Sequence, residues 1–227
     1  MNGFMETIEY VGVLMPSLLQ GAWWTVKLFV ATLVLSLPLG LPFALGSDSR
    51  FRVLRAISKT YIWIFRGTPL LLQMFFFYFF LPIWFGEAFR FDAFTTAVLA
   101  FVLNYAAYFA EIYRGGINSI DRGQYEAAHS LGLSRRQTML GIIMPQTLKT
   151  ILPPVSNEAI VLIKDTALVS VIGVADLMKT STSAVNRDVD PLAYLIAAII
   201  YLIFTFLLTL LSNYLERRFS LYDAKED

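Results

Sequence analysis

The chain has 227 residues, of which 57% are hydrophobic and 15% charged, a composition far more apolar than that of a soluble domain of this length. The formal net charge of +1 provides no basic field for nucleic acid, and the absence of cysteine excludes disulfides, thiol catalysis and iron–sulfur clusters. With a single histidine, His129, and no cysteine, the chain has few side chains that could coordinate zinc or haem iron, so we expect no metal site. The sequence therefore predicts an all-α integral membrane protein.

Residues 1–20 form the first predicted segment, an interfacial helix. They contain two glutamates but neither lysine nor arginine, so they lack the basic flank of a secretory signal peptide, and we expect them to be retained. Their apolar run contains Pro16 and is too short to cross hydrocarbon about 30 Å thick. We expect a transmembrane domain over residues 21–218 and a cytoplasmic tail over residues 219–227.

Five apolar segments within this domain are each long enough to span the membrane as a helix. Of the 18 lysines and arginines, 13 lie in the connection before the second span with Arg66, in the loop between the third and fourth spans with its flanks, and in the C-terminal tail. Because positive residues mark cytoplasmic segments, these regions are predicted to lie inside and the N-terminus outside. The predicted spans are residues 28–47, 61–85, 93–112, 151–175 and 191–215.

The loop between the third and fourth spans, about residues 115–149, is a polar island between apolar segments. Asp121 can cap a short helix, and Gly132 can end it by adopting the left-handed backbone conformation that side chains disfavour. A second short helix can then run from Ser134 to Pro145. We call this helix–glycine–helix element, from Asp121 to Pro145, the hook, and we expect it to lie parallel to the membrane and to enter a groove on a soluble partner.

A polar stripe runs along the third predicted span. Asn104, Tyr108 and Glu111 are spaced by four and three residues, so they share one helix face. We expect Asn104 and Tyr108 to face a substrate pathway, with hydrogen bonding between helices as the alternative. Glu111 lies near the cytoplasmic end, where pairing with Arg114 or Arg66 is expected to keep it out of the site.

The fourth predicted span carries two carboxylates, Glu158 and Asp165, which are seven residues apart and hence on one face. An ionised carboxylate inside a bilayer costs at least about 3 kcal/mol, so the pair requires water, a partner or a ligand. Adjacent residues on a helix do not face each other, so either the helix unwinds at Lys164 or this lysine pairs elsewhere. Asn157 lies beside Glu158, and the Thr166 hydroxyl can bond a freed backbone carbonyl, so we include both with Glu158, Lys164 and Asp165 in the predicted substrate site.

The start of the second span combines Gly67 and Thr68 with Pro69. Gly67 has no side chain and Pro69 has no backbone N–H, so the helix is loosened here and backbone groups are exposed. The alternative interpretation is an ordinary turn at the start of a helix. The chain contains no glycine-rich loop of the Gly-x-x-x-x-Gly-Lys-Ser/Thr type, so it cannot hydrolyse ATP alone. Any ATP-driven activity needs another polypeptide, which the hook could dock.

The hook carries a pattern that is specific when all its positions are taken together: Glu126-Ala127-Ala128, three residues, Gly132, nine residues, Ile142, one residue, then Met144-Pro145. It resembles the cytoplasmic loop signature of bacterial ABC importer permease subunits, with Met144 in place of leucine as the only departure. Further stretches resemble permeases of the polar amino acid uptake subfamily, which serves histidine, arginine, glutamine, glutamate, cystine and opines. These stretches are residues 65–70, 104–108, 111, 114–117, 123–124 and 164–169.

The resemblance implies a type I importer fold of the MetI-like class in a bacterial cell membrane. It also implies a second permease subunit, identical or homologous, two cytoplasmic ATPases that bind ATP and magnesium, and an extracytoplasmic amino-acid-binding protein. This chain itself would be a transport subunit without enzyme activity or cofactor. In that family the hook is the coupling helix on the ATPase, which assigns the coupling role to Gln124, Tyr125, Glu126, Ala127, Ala128 and Gly132.

The charges of the fourth span suggest the substrate. Glu158 and Asp165 lie about 10 Å apart along a helix axis, far enough to bind two separate cations, and a basic amino acid carries two. We predict a polar amino acid, preferably arginine, lysine or histidine, with glutamate, glutamine or cystine as alternatives. A gated channel, or an intramembrane enzyme that uses both carboxylates as an acid–base pair, are alternatives of other classes. The predicted partners of the substrate carboxylate are Asn104, Tyr108, the Gly67–Thr68 backbone and, if the helix unwinds, Lys164.

Overall fold

The computed structural model describes residues 2–220. Within that range every regular element is a helix, in agreement with the predicted all-α class, and residues 221–227 of the predicted tail lie outside it. Two π turns, Phe76–Phe80 and Met139–Ile143, and two 3₁₀ segments, Glu87–Phe89 and Thr166–Ile172, connect α-helices. The described α-helices are α1 (Asn2–Ser47), α2 (Arg52–Gly67), α3 (Leu70–Phe75), α4 (Leu81–Phe85), α5 (Ala93–Asn118), α6 (Arg122–Ser130), α7 (Arg135–Thr138), α8 (Met144–Asp165), α9 (Leu177–Asp188) and α10 (Leu192–Ser220).

Helix α1 is continuous over 46 residues. It passes through Pro16 without a break, so the predicted separate helix over residues 1–20 is the first part of α1, and its placement at the interface stays a prediction. Leu14 and Leu18 are buried in an apolar cluster with residues of α9 and α10, including Leu177. The packing of these two leucines against other helices supports the continuous helix at Pro16, where a proline costs roughly 3 kcal/mol.

The predicted second span, residues 61–85, is not one helix. Helix α2 ends at Gly67, Thr68 is extended with φ −120° and ψ 144°, and α3 begins only after Pro69. Proline causes the break because it lacks an N–H and disfavours the helical conformation at the preceding residue. The first part of the predicted span therefore belongs to α2, which begins at Arg52 in the basic connection.

Helix α5 begins at Ala93, as predicted, and continues to Asn118, past the predicted end at residue 112. Asp92 caps it: its Oδ1 accepts hydrogen bonds from the N–H groups of Phe94 and Thr95, both at 3.0 Å. An early cap and an unbroken apolar run explain why this helix is regular from its first residue.

The second helix of the hook does not stop at Pro145. The chain passes from α7 through the π turn Met139–Ile143 into α8, which contains Pro153 and Pro154 and ends at Asp165. Pro145 removes only the donor to the carbonyl of Gly141, and the wider winding of a π turn accommodates that loss. The predicted short helix is thus the beginning of a much longer helical segment.

Three of the described helices are long and apolar enough to cross a membrane, and the interrupted pair Arg52–Gly67 with Leu70–Phe85 adds a fourth if it forms one span. The predicted fourth span, residues 151–175, lies on α8 and the following 3₁₀ segment and is not among them, since charged residues lower its hydropathy. The count of five spans and the orientation stay predictions. The three helices are Thr7–Ser47, Ala93–Asn118 and Leu192–Phe219.

The described residues form two compact units. The core of the first unit is the cluster of α1, α9 and α10 around Leu14 and Leu177. The core of the second contains Ala44, Ile62 and Ala110, and α1 approaches α5 so closely there that a Cβ at Gly40 would lie 2.9 Å from the Ala106 carbonyl oxygen. The first unit comprises the described residues of 1–33, 70–101 and 160–207, and the second those of 34–69, 102–159 and 208–227.

Candidate functional site

The first helix of the hook, α6, is fixed at both ends. Asp121 caps it, and its carboxylate accepts a hydrogen bond from the N–H of Gly123 at 2.6 Å. At the other end Gly132 has φ +72°, and the N–H of Leu133 donates to the carbonyl of Ala128 at 3.0 Å, as in helices closed by a left-handed residue. Both predicted features, the cap and the glycine stop, are confirmed.

Ser134 begins the second helix of the hook with a capping box. Its Oγ accepts from the N–H of Gln137, whose Oε1 accepts from the Ser134 N–H at 2.9 Å. A cavity of about 400 Å³ lies between α6 and α7, and Tyr125, His129 and Arg135 contribute to its walls. The hook is therefore a preorganised element with a concave surface.

The predicted coupling residues differ in accessibility. Ala128 is only 1% exposed, because it packs inside its own unit, whereas its neighbour Ala127 is exposed. Of the two adjacent alanines, therefore, Ala127 is accessible at the surface and Ala128 anchors α6. Tyr125 is partly exposed, and the remaining predicted coupling residues, all exposed, are Gln124, Glu126 and Gly132.

Asn104 of α5 compensates for the break after α2. Pro69 has no N–H, so the carbonyl of Phe65, four residues earlier, loses its helical hydrogen bond. The Nδ2 of Asn104 donates to that carbonyl at 3.0 Å, and the Thr68 hydroxyl donates to the neighbouring carbonyl of Ile64 at 2.8 Å. The alternative interpretation of Asn104, a hydrogen bond between helices, is therefore the one that the structure supports.

The second polar group of this region is the Arg66 cluster, formed by Arg66, Tyr108, Glu111 and Arg114. The guanidinium of Arg66 lies over the ring of Tyr108, 5.4 Å from its centroid, and its Nη1 is 3.9 Å from the Glu111 carboxylate. Arg114 also binds Glu111, with its Nε donating at 3.1 Å, so the predicted pairing of Glu111 is confirmed. Tyr108 is partly exposed and Gly67 is exposed. The second unit thus brings predicted residues of α2 and α5 together.

Sequence reasoning left Arg66 out of the site, although its guanidinium makes a cation–π contact with Tyr108. The available signal was its position between Phe65 and Pro69, where the freed carbonyl requires a donor from another helix. Asn104 and Tyr108 lie one turn apart on α5, so the donor to this carbonyl and the ring beside Arg66 reach the same end of α2.

The remaining predicted residues lie on α8 and on the 3₁₀ segment after it. Helix α8 stays regular through Lys164, and the winding tightens only from Thr166; the helix does not unwind at Lys164. The Thr166 hydroxyl donates to the carbonyl of Ile163 at 2.7 Å, a backbone bond of the kind that we expected. In the second unit Asn157 is exposed and Glu158 partly buried; in the first unit Lys164 is exposed, Asp165 partly buried and Thr166 buried.

The first unit contains a buried acid that sequence reasoning missed. Asp176 caps α9, accepting from the N–H groups of Met178 at 3.2 Å and Lys179 at 2.9 Å, and it is 0% exposed. Burial raises the pKa of its carboxyl to about 6, and the two N–H groups limit that rise. The signal in the sequence was an aspartate directly after the predicted span and before a polar helix, which is the position of an N-cap.

The family described as binding-protein-dependent transport system inner membrane component matches residues 36–221. The chain belongs to this family. The match covers the hook, the Arg66 cluster, α8 and α10, so the resemblance predicted from the hook is confirmed for most of the protein. These inner membrane components are integral to the membrane, in line with the apolar helices described above.

Three relatives extend the similarity over nearly the whole permease. The arginine transport system permease protein ArtQ of Bacillus subtilis (strain 168) is 40% identical over 218 residues, which cover 95% of this chain and 96% of ArtQ. The L-cystine transport system permease protein TcyB of the same strain is 39% identical over 214 residues, 92% of this chain and 89% of TcyB. The glutamine transport system permease protein GlnP of Escherichia coli (strain K12) is 38% identical over 204 residues, 89% of this chain and 93% of GlnP.

Solved structures agree on the fold. A crystal structure described as an amino acid ABC transporter with histidines matches with a TM-score of 0.86 and 36% identity, covering 95% of this chain and 98% of that chain. The inward-facing MetNI methionine ABC transporter matches with a TM-score of 0.76, covering 90% of this chain and 97% of that chain; at 16% identity, this is a likeness of fold alone. The chain is therefore an amino-acid ABC transporter permease with the MetI-like type I importer fold.

Proposed function

We propose that this permease forms the membrane translocation pathway of an ATP-driven importer for a polar amino acid, with arginine, lysine or histidine as the preferred substrates. The observation that carries the amino acid class is the identity of 38–40% with three permeases named for arginine, cystine and glutamine transport. The three names specify different amino acids, and the identities are too similar to favour one of these substrates. The preference for a basic substrate rests on the chain's own charges.

The energy for transport is proposed to come from a separate cytoplasmic ATPase that holds ATP and magnesium and docks on the hook. Three features of the hook support this: a rigid capped start, a left-handed stop at Gly132, and the exposed residues Glu126 and Ala127. A second permease, identical or homologous, and an extracytoplasmic binding protein complete the proposed assembly in a bacterial cell membrane. The N-terminus is proposed to face outside and the hook inside.

Within the second unit, the proposed substrate contacts are Glu158 of α8 and Tyr108 of the Arg66 cluster; Asp165, the other proposed carboxylate, belongs to the first unit. Glu158 and Asp165 are both partly buried rather than fully exposed. An ionised carboxylate is costly inside a bilayer, so we propose that water in the pathway keeps both side chains charged and able to bind a cation. Because Asn104 is bonded to a backbone carbonyl, its proposed role is to hold the exposed backbone at Gly67 in place. Tyr108 is then the side-chain donor for the substrate carboxylate.

Competition of labelled arginine uptake tests the substrate. In vesicles that contain the permease, its ATPase and its binding protein, unlabelled lysine or histidine is expected to compete with labelled arginine. Glu158→Gln is expected to lower arginine uptake by up to about fivefold, because an ion pair in a hydrated pathway contributes up to about 1 kcal/mol. Glu87→Gln is the matched control, since Glu87 is exposed and paired with Arg90 at 2.9 Å. Unchanged arginine uptake in Glu158→Gln, or competition by glutamate, glutamine or cystine alone, would refute the basic preference.

A further inference from the structure

An apolar groove in the second unit has no role in the transport proposal. It has a volume of about 320 Å³ and lies between α1, α5 and α8. Its walls are largely aliphatic, and the hydroxyl of Tyr113, one of its few polar groups, already donates to the carbonyl of Leu37 at 3.1 Å. Leu41 and Leu148 in its walls are 41% and 49% exposed, so the groove opens to the surroundings of the helices.

A polar cavity of about 500 Å³ adjoins this groove, and Leu152 lines both. The walls of the polar cavity include Lys149 of α8 and Arg217 of α10, together with the carboxylate of Glu216. The hydroxyl of Ser212, one turn earlier on α10, donates to Glu216 at 3.0 Å. Among the described residues that line the polar cavity, two cations and one anion give a net positive charge.

The chemistry of the combined surface matches an anionic phospholipid. The hydroxyl of Thr147 is a further polar group in the walls of the groove, and one hydroxyl cannot replace the hydration of both charges of a zwitterionic amino acid, whereas an acyl chain gains apolar contact. Each lysine or arginine near the cytoplasmic surface contributes about 1 kcal/mol of attraction to anionic lipid. Lys149 and Arg217 lie at the ends of α8 and α10 that are predicted to be cytoplasmic, which is where such headgroups are found.

We propose that the second unit binds an anionic phospholipid, with the headgroup phosphate at Lys149 and Arg217 and one acyl chain crossing Leu152 into the groove between α1, α5 and α8. A lipid bound in this way contacts four helices at once, α1, α5, α8 and α10, and stabilises their packing by mass action. Because α8 continues from the hook, the lipid binds directly beside the helix that carries the docking element.

Photochemical labelling of the full chain in bilayers tests the site. A phosphatidylglycerol probe with a photoreactive group on its acyl chain is compared with a phosphatidylcholine probe that has the same tail, and adducts on residues 148–155 are measured by mass spectrometry. The phosphatidylglycerol probe is expected to label this segment up to about 30-fold more than the phosphatidylcholine probe does. Lys149→Gln and Arg217→Gln are each expected to lower the labelling by phosphatidylglycerol about fivefold. Lys59→Gln, at an exposed lysine of the same unit, is the matched charge control and is expected to keep the labelling.

The apolar half of the site is tested separately. Leu148→Trp narrows the groove and is expected to reduce labelling by both probes at least about fivefold, whereas Leu202→Trp, at a position 68% exposed on α10, leaves it unchanged. Equal labelling by the two probes would mean ordinary surrounding lipid, and an equal loss in Lys59→Gln would mean general surface charge. A disulfide between two chains that each carry Leu148→Cys, with loss of labelling, would mean that a second copy covers the groove. Each of these three results overturns the proposal.

Discussion

Replacing Gly132 by valine perturbs the hook at one defined point. Gly132 has φ +72°, and no atom beyond its chain neighbours lies within 4 Å of the position that a Cβ would take, so the cost of a side chain is conformational and not steric. The left-handed conformation costs an L-residue about 1–2 kcal/mol, and a β-branched residue at least that. The balance between the closed and frayed end of α6 then shifts about 5–30-fold.

A graded series measures this cost against docking of the ATPase. Asparagine tolerates the left-handed conformation, alanine less so and valine least. The affinity of the ATPase in pull-down experiments is therefore expected to fall in the order Gly132→Asn, Gly132→Ala, Gly132→Val, by about 5–30-fold for alanine and by at least as much for valine. Gly141→Ala is the matched control, because a Cβ at Gly141 also meets open space but in a helical turn, where alanine is favoured over glycine. Amino acid uptake is expected to fall in parallel with the affinity.

Two outcomes would refute the reasoning. If Gly132→Val keeps both ATPase association and uptake at the level of the unsubstituted protein, the hook is not the docking element. If Gly141→Ala weakens association as much as Gly132→Ala, the left-handed conformation is not what matters, and the docking surface responds to any added methyl group.

Two further predictions concern stability. Because burial raises the pKa of Asp176 to about 6, the folded state holds a proton that the unfolded state has released, and stability falls by up to about 3 kcal/mol as the pH rises from about 4 to about 6. The unfolding temperature in detergent is expected to fall over the same pH range. Asp176→Asn is expected to remove this pH dependence, whereas Asp121→Asn, at an exposed cap, is expected to leave it unchanged. If the pH dependence persists in Asp176→Asn, Asp176 is not its source. Asn104→Leu removes the hydrogen bond to the Phe65 carbonyl and is expected to lower the free energy of unfolding by about 1–3 kcal/mol. The loss is expected to be smaller in a Pro69→Ala background, because the N–H of an alanine at this position can donate to the same carbonyl. An equal loss in both backgrounds would rule out this role of Asn104.

Features that depend on a few neighbouring residues were predictable from the sequence. The Asp121 cap, the Gly132 stop and the start of a helix at Ser134 are all as expected, because each is decided within about three residues by side-chain acceptors and by the freedom of glycine. The start of α5 at Ala93 follows in the same way from its cap. The hook could therefore be derived before any tertiary contact was known.

Features that depend on distant residues could not be derived in this way. Helix α1 continues through Pro16 because Leu14 and Leu18 pack against helices near the other end of the chain, and no local pattern reports such packing. The sequence shows that Pro69 frees a carbonyl, but the donor, Asn104, lies 39 residues from Phe65. Arg66 lies over Tyr108 at the same end of α2. The sequence predicted that Tyr108 faces the substrate pathway, and it gave no indication that an arginine of another helix covers its ring.

Concentrative uptake is the most direct test of the central claim that this chain is the permease of an ATP-driven amino acid importer. Sealed vesicles containing the permease, its ATPase and its binding protein are loaded with ATP and magnesium and given labelled arginine outside. We predict that arginine accumulates above its outside concentration, that accumulation needs ATP on the side of the hook, and that Gly132→Val reduces it. Arginine that enters only to the outside concentration, at the same rate with and without ATP, would contradict the account and indicate a channel.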